Sequence, residues 1–137
     1  MPWIYSQSSG QLYDPEGQPI GPPGYSGQPP HTNDPTSEGI VNKGVTPCGR
    51  YKISAMILNT AAHGPFVLVL MPDDATRARI IALGRDPDSF RMHGERIEPP
   101  PGYASDGCII EEHAVRVEVW NEHEEDDLLD VVAQVAA

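Results

Sequence analysis

Two side chains in this sequence could together attack a carbonyl group. His93 lies in Phe90-Arg91-Met92-His93-Gly94-Glu95, and Cys108 follows fifteen residues later in Ala104-Ser105-Asp106-Gly107-Cys108-Ile109-Ile110. A thiolate is the attacking form of cysteine, and a free thiol is mostly protonated near neutral pH, so the sulfur needs a base. A neighbouring imidazole can take that proton if a third group holds it in one tautomer. The oxyanion formed by the attack needs N–H donors, and Gly107, lacking a Cβ, lets backbone N–H groups beside Cys108 face a substrate. This is the chemistry of acyl transfer. Residue type alone does not establish it, since a buried cysteine is often an inert hydrophobe and a lone histidine often structural.

Such a pair has to be held by regular elements. Phe66-Val67-Leu68-Val69-Leu70-Met71, ended by Pro72, predicts a central strand buried on both faces. Tyr51, Ile53, Ala55 and Ile57 alternate with polar neighbours and predict the strand before it, with a turn over Thr60 to Gly64. Asp73-Asp74 opens a helix that runs to Leu83 and stops at Gly84. Asp86-Pro87-Asp88 then turns the chain into a strand, Ser89 to His93, which delivers the histidine at its end. Ile97 to Tyr103, with three consecutive prolines, predicts a stiff extended loop leading to the turn before Cys108. Beyond the cysteine, Val115, Val117 and Val119 alternate as in a strand, while Ala114, Val117 and Trp120 fit a helical stripe; of the two, a short helix from about Glu112 to Glu122 is preferred, followed by a final strand from Leu128 to Val132.

The opening reads as a hairpin meander: a strand over Trp3 to Gln7, a turn at Ser8-Ser9-Gly10, a strand at Gln11 to Tyr13, a turn at Asp14-Pro15-Glu16-Gly17, and a short third strand at Gln18 to Ile20. Gly24-Tyr25-Ser26-Gly27 reads either as a plain turn with a packed tyrosine or as a loop lining a groove. Residues 26–46 carry no periodicity and form a long loop, a length that is uncommon in compact domains and often functional.

The chain has 137 residues, which suits a single domain with one modest core. Of its 13 glycines and 15 prolines, more than half lie in the first 50 residues, which excludes long helices there. A net charge of −11 argues against nucleic acid or an anionic membrane surface as partner. Nearly half of the 20 acidic residues fall between Glu111 and Asp130, read as a solvated face or as a docking surface for a basic partner. No apolar run approaches a membrane span, and Met1-Pro2-Trp3-Ile4-Tyr5 lacks the pattern of a secretory signal, so synthesis in the cytoplasm without a cleaved leader is expected. The two cysteines, Cys48 and Cys108, form no CxxC pair, and a disulfide between them would remove the nucleophile.

The ordered set of motifs resembles a known family. His93-Gly94 followed by Ser105-Asp106-Gly107-Cys108 resembles the His…Ser-His-Gly-Cys pattern of YkuD-type L,D-transpeptidase catalytic domains, and is most similar to the small L,D-transpeptidase and carboxypeptidase effectors of bacterial type VI secretion. The opening Trp3 to Leu12, the Gly24 to Gly27 loop, the run Gly44-Val45-Thr46-Pro47-Cys48-Gly49-Arg50-Tyr51-Lys52-Ile53 and the segment Arg85 to Gly94 extend the resemblance over most of residues 3–120.

The resemblance implies a mainly β, L,D-transpeptidase-like sandwich with one or two short helices. Residues 1–137 would form one catalytic domain, with 26–46 as a groove loop and 121–137 as an acidic segment and final strand. Cys108 would be the nucleophile and His93 the base. Ser105 and Gly107 would shape the turn, with N–H groups at Gly107 and Cys108 as oxyanion donors. Tyr25 would line the groove, and Asp106 would face the substrate. Stem peptides of peptidoglycan would be the substrate, with no cofactor or metal. A cognate immunity protein and a secretion apparatus would be partners, and the site of action would be the periplasm of a target bacterium.

Three departures stand out: Asp106 replaces a histidine, the His93 to Cys108 spacing is short, and Cys48 replaces a proline, which makes it a bystander. A carboxylate beside a thiol raises the thiol's pKa, so Asp106 must point away or be paired. Two rival readings remain. One is a catalytically dead wall-binding or secretion module on the same fold. The other is a metal protein using His31, His63, His93 and Cys108, although these histidines lack any HxH or HxxxH spacing.

Overall fold

The computed structural model describes residues 2–96 and 100–135. Strands β1 (Trp3–Ser6), β2 (Leu12–Tyr13), β3 (Tyr25–Ser26), β4 (Gly49–Thr60), β5 (Gly64–Pro72), β6 (Arg91–His93), β7 (Ile109–Ile110) and β8 (Leu128–Val132) are joined by helices α1 (Asp74–Ala82) and α2 (His113–Glu122). All eight strands belong to one ladder in the order β2-β1-β8-β4-β5-β6-β7-β3. The ladder folds over on itself, because the Gly24 N–H at the β3 end donates to the Gly10 carbonyl beside β2 at 2.9 Å. A Cβ on Gly10 would lie 1.9 Å from the Gly24 oxygen, so only glycine permits this approach. The expected mainly β fold with two short helices is therefore present.

One core fills the fold. Trp3 and Tyr5 of β1, Tyr51 and Ile53 of β4, Leu68 and Leu70 of β5, Met92 of β6, Ile109 of β7 and Leu129 and Val131 of β8 meet Ile80 of α1 and Val115 and Val119 of α2. Removing this apolar surface from water is the main stabilising term. The helix α1 begins as the sequence predicts, with the Asp73 carboxylate accepting from the Thr76 N–H at 2.9 Å, and Gly84 comes after it with φ +78°. β8 has the predicted bounds, and α2 begins one residue after the predicted Glu112.

Several expectations need correction. The alternation across β4 fails beyond Ile53, because a bulge between Ile53 and Ala55 reverses the facing of the rest of the strand. Ala55 and Ile57 are exposed as a result, and Met56 packs on the core instead. β5 is central, as predicted, but Met71 is exposed, so its outer face is partly open. The predicted third strand at Gln18 to Ile20 is reduced to one bridge, Tyr13 to Pro19. Tyr25-Ser26, read as a turn or loop, is a short strand paired antiparallel with β7. The strand leading to His93 begins at Arg91 rather than Ser89. The loop 26–46 is ordered around a 3-10 turn at Pro35–Ser37. The triple-proline stretch falls partly on 97–99, outside the described residues.

Candidate active site

The parallel pairing of β6 with β7 sets Met92 opposite Ile109 and His93 opposite Ile110. Cys108, one residue ahead of β7, therefore stands level with Arg91 and diagonally across from His93. Neighbouring parallel strands lie about 4.8 Å apart. Both residues are buried, His93 wholly and Cys108 to 6% exposure. The sulfur is a free thiol, as is that of Cys48, so no disulfide links them.

The hydrogen bonds fix the state of each group. Nδ1 of His93 lies 3.0 Å from the Gly94 carbonyl, which can only accept. Nδ1 therefore carries the hydrogen, and Nε2 presents a lone pair. Among the described residues that Nε2 has no partner. The Cys108 thiol donates to the Ser89 carbonyl at 3.6 Å rather than to the imidazole. Burial holds the His93 pKa down to about 4, against a smaller upward pull from its bond to Gly94, while His63, Arg96 and Arg116 add to the lowering. Burial pushes the thiol up to about 11, despite the Arg91 N–H and the Arg91 and Arg85 guanidinium groups, which favour the thiolate; Asp106 opposes it. The resting pair is neutral thiol and neutral imidazole, buried rather than facing an open cleft.

The turn before Cys108 is held by Ser105. Its hydroxyl donates to the Cys108 carbonyl at 2.6 Å and accepts from the N–H groups of Gly27 at 2.9 Å and Gly107 at 3.2 Å. The Gly107 N–H, foreseen as an oxyanion donor, is engaged by the Ser105 hydroxyl in this structure. Gly107 has φ +128°, and a Cβ there would lie 2.1 Å from Nη2 of Arg85. Ser105→Ala should leave two buried N–H groups without an acceptor. We expect a loss of about 2–4 kcal/mol, at roughly 1–3 kcal/mol per stranded group, measured by urea denaturation.

Tyr25 straps the segment after β6 onto β3. Its hydroxyl donates to the Glu95 carboxylate at 2.8 Å and accepts from the Ala104 N–H at 3.2 Å. Burial, with the bond to Glu95 second, pushes its pKa up to about 12. It also lines a cavity of about 220 Å³ together with Gly24, Ile110 and Glu111. Asp106 is exposed and paired, accepting from Nε2 of Gln28 at 3.1 Å. Cys48 is apart from the site, its thiol donating to Gln7 at 3.3 Å.

Two arginines matter here that sequence reasoning did not assign, together with His63, which it named only as a candidate metal ligand. Arg85 is buried and donates to the carbonyls of Glu38 at 2.7 Å and Val45 at 3.2 Å, which binds the 26–46 loop behind Cys108. The His63 ring, in the turn between β4 and β5, stacks on His93 with centroids 4.4 Å apart and planes at 23°. Arg96 places Nη2 2.8 Å from Nδ1 of His63. The turn itself is legible over Thr60 to Gly64, but nothing in the spacing of His63, His93 and Arg96 signals their meeting. The metal reading finds no support: stacked rings do not converge on a point, and among the described residues no group of three or more His, Cys, Asp or Glu does. A cavity of about 740 Å³ is lined by His63, Gly94, Glu95, Arg96, Glu111 and the start of α2; neither His93 nor Cys108 lines it.

Comparison with known proteins places this geometry. A family model described as "Tlde1 domain" matches residues 22–135. Among solved structures, an L,D-transpeptidase of Enterococcus faecium shares 13% identity and a TM-score of 0.58, over 96% of this chain and 49% of that one. Bd1075 of Bdellovibrio bacteriovorus shares 14% identity and a TM-score of 0.62, over 98% of this chain and 48% of that one. The catalytic domain of an E. faecium L,D-transpeptidase shares 14% identity and a TM-score of 0.53, over 96% of this chain and 95% of that domain. The chain thus spans about half the length of the first two and nearly all of the isolated domain. At these identities the likeness is one of fold. No curated protein sequence matches the chain.

Proposed function

The chain belongs to the Tlde1-domain family, and from that premise we propose that it is a peptidoglycan-modifying cysteine enzyme that acts on stem tetrapeptides. The observation that carries this reading is the strand pairing that sets His93, held by Gly94 and with no partner for Nε2 among the described residues, diagonally across from the free thiol of Cys108. In the reaction, the sulfur turns from Ser89 toward Nε2 and attacks the carbonyl of the diaminopimelate residue. The S–H proton passes to His93 as the S–C bond forms. The C–N bond to the terminal D-alanine then breaks, and the imidazolium returns the proton to the departing amine. Water resolves the thioester in an L,D-carboxypeptidase; an amine resolves it in transpeptidation or D-amino-acid exchange.

With a thiol pKa of about 11 and an imidazole pKa of about 4, the ion pair is unfavourable in the resting site. Proton transfer is therefore coupled to attack on bound substrate, whose developing oxyanion the Cys108 N–H can meet. The cavity lined by His63, Gly94 and Arg96 is the groove in this reading, and the buried pair has to be uncovered toward it when substrate binds. As an antibacterial effector the protein would pass through a secretion apparatus, act in the periplasm of a target cell, and be held in check by an immunity protein. The exposed acidic stretch after Glu111 is a surface such an inhibitor would meet.

The buried thiol, facing a carbonyl rather than the imidazole, favours a second reading, a catalytically dead wall-binding module. Mass spectrometry of muropeptides incubated with the protein, with and without added D-methionine, separates the two. Loss of D-alanine indicates hydrolysis, and incorporation of D-methionine indicates exchange. Unaltered muropeptides, combined with retention of the protein on peptidoglycan, would replace the enzyme by the binding module.

A further inference from the structure

We propose that His63 is a positioning residue for His93: its ring, pinned by Arg96, holds the imidazole in the orientation the reaction needs, while the Gly94 carbonyl sets its tautomer. This rests on the cysteine-enzyme reading for its functional meaning, but its physical content is independent of it. His93 sits at the last position of β6, where the ladder ends and no further strand residue confines its ring. The Gly94 carbonyl fixes only one edge, at Nδ1. The face is covered by His63, reaching across from the turn between β4 and β5.

A stacked neighbour works only if it is itself fixed. Arg96 has no acceptor atom on its guanidinium, so its contact with Nδ1 of His63 must be a donation. His63 is then neutral, with its hydrogen on Nε2. Two protonated rings at 4.4 Å would repel, and the guanidinium on Nδ1 prevents that state from arising at His63. Besides Cys108 at the head of β7, the charged and titratable groups that bear on His93 are His63 from the β4–β5 turn, Arg96 from the segment after β6, and Arg116 from α2; these three each disfavour the imidazolium. Arg116 is engaged elsewhere, donating to the carbonyls of Phe66 at 2.9 Å and Pro65 at 3.2 Å. These bonds also anchor the start of β5, next to His63. The β4–β5 turn, the segment after β6 and α2 thus converge on one ring.

The test uses the full chain with ¹⁵N-labelled histidine, in wild type, His63→Ala and His63→Phe. The His93 imidazole is titrated by NMR, and D-alanine release from a stem tetrapeptide is measured against pH. In His63→Ala we expect the His93 midpoint to rise by about one pH unit or more, as water and the imidazolium become compatible. We expect kcat to fall about tenfold with KM changed less than about twofold, the pattern of a misplaced base rather than weakened binding. His63→Phe keeps a ring over His93 and should recover most of kcat. An unmoved His93 midpoint in His63→Ala, or a phenylalanine variant as impaired as the alanine one, overturns the proposal. A wild type that releases no D-alanine while its His93 midpoint shifts as expected overturns the enzyme reading and leaves the positioning role standing.

Discussion

Cys108→Ala abolishes D-alanine release, by more than about a thousandfold, while the protein stays folded; this is the expected result if the sulfur forms the thioester. The fold should tolerate the change, because the thiol contributes one weak bond, to the Ser89 carbonyl, and a small volume. His93→Ala should give a loss of similar size, since nucleophile and base act as one unit. The pH dependence in the wild type adds a sharper condition. The base must be neutral, so the rate falls as pH drops through the His93 pKa of about 4. It should not fall near 6.5, where an exposed histidine would titrate. Release measured from pH 3.5 to 8 checks this, and full activity in Cys108→Ala would leave the site with no nucleophile to explain it.

Glu111→Gln should stabilise the protein, and increasingly so as pH rises. Glu111 is 2% exposed, and among the described residues neither of its carboxylate oxygens has a partner. Burial raises its pKa from 4.5 to about 9, with the Gly24 backbone and Arg116 pulling weakly the other way. The folded state therefore holds a proton that the unfolded chain has released. Between those two values the unfolded state binds fewer protons, so stability falls with increasing pH, at up to about 1.4 kcal/mol per pH unit. Glutamine is neutral throughout and removes that slope. We expect wild type and variant to unfold at similar urea concentrations at pH 4.5, and the variant to be more stable by about 4 kcal/mol at pH 8. A difference that does not grow with pH would mean that the carboxyl is ionised and solvated in the folded protein.

Glu111 also illustrates what the sequence conceals. In the chain it opens an acidic run, and composition assigns such runs to a solvated face. Most of that run is exposed, as expected, but Glu111 directly succeeds β7 and is carried inside by it. What was legible is local. Asp73 with Gly84 bracketed α1, because caps are properties of neighbouring residues. The two residues of β3 carry no such pattern; their conformation comes from pairing with β7, more than eighty residues away. The bulge in β4 has no local marker either. The same division holds for the site. His93, Cys108, Ser105 and Gly107 were found through a motif order, whereas the stack of His63 on His93 is a purely tertiary event.

The position of β8 has a consequence for how the chain reaches this state. β8 lies between β1 and β4, and Trp3 pairs in parallel with Leu129. A nascent chain halted before residue 128 would leave the edges of both β1 and β4 bare, with Trp3 and Tyr5 lacking their cover. Assembly must therefore wait for the arrival of β8 and proceed through contacts distant in sequence, which makes it slow, on the order of milliseconds to seconds. During that interval β1 and β4 each lack the neighbour that β8 supplies, and the first hairpin has no sheet to join until the strand from the far end of the sequence slides between them.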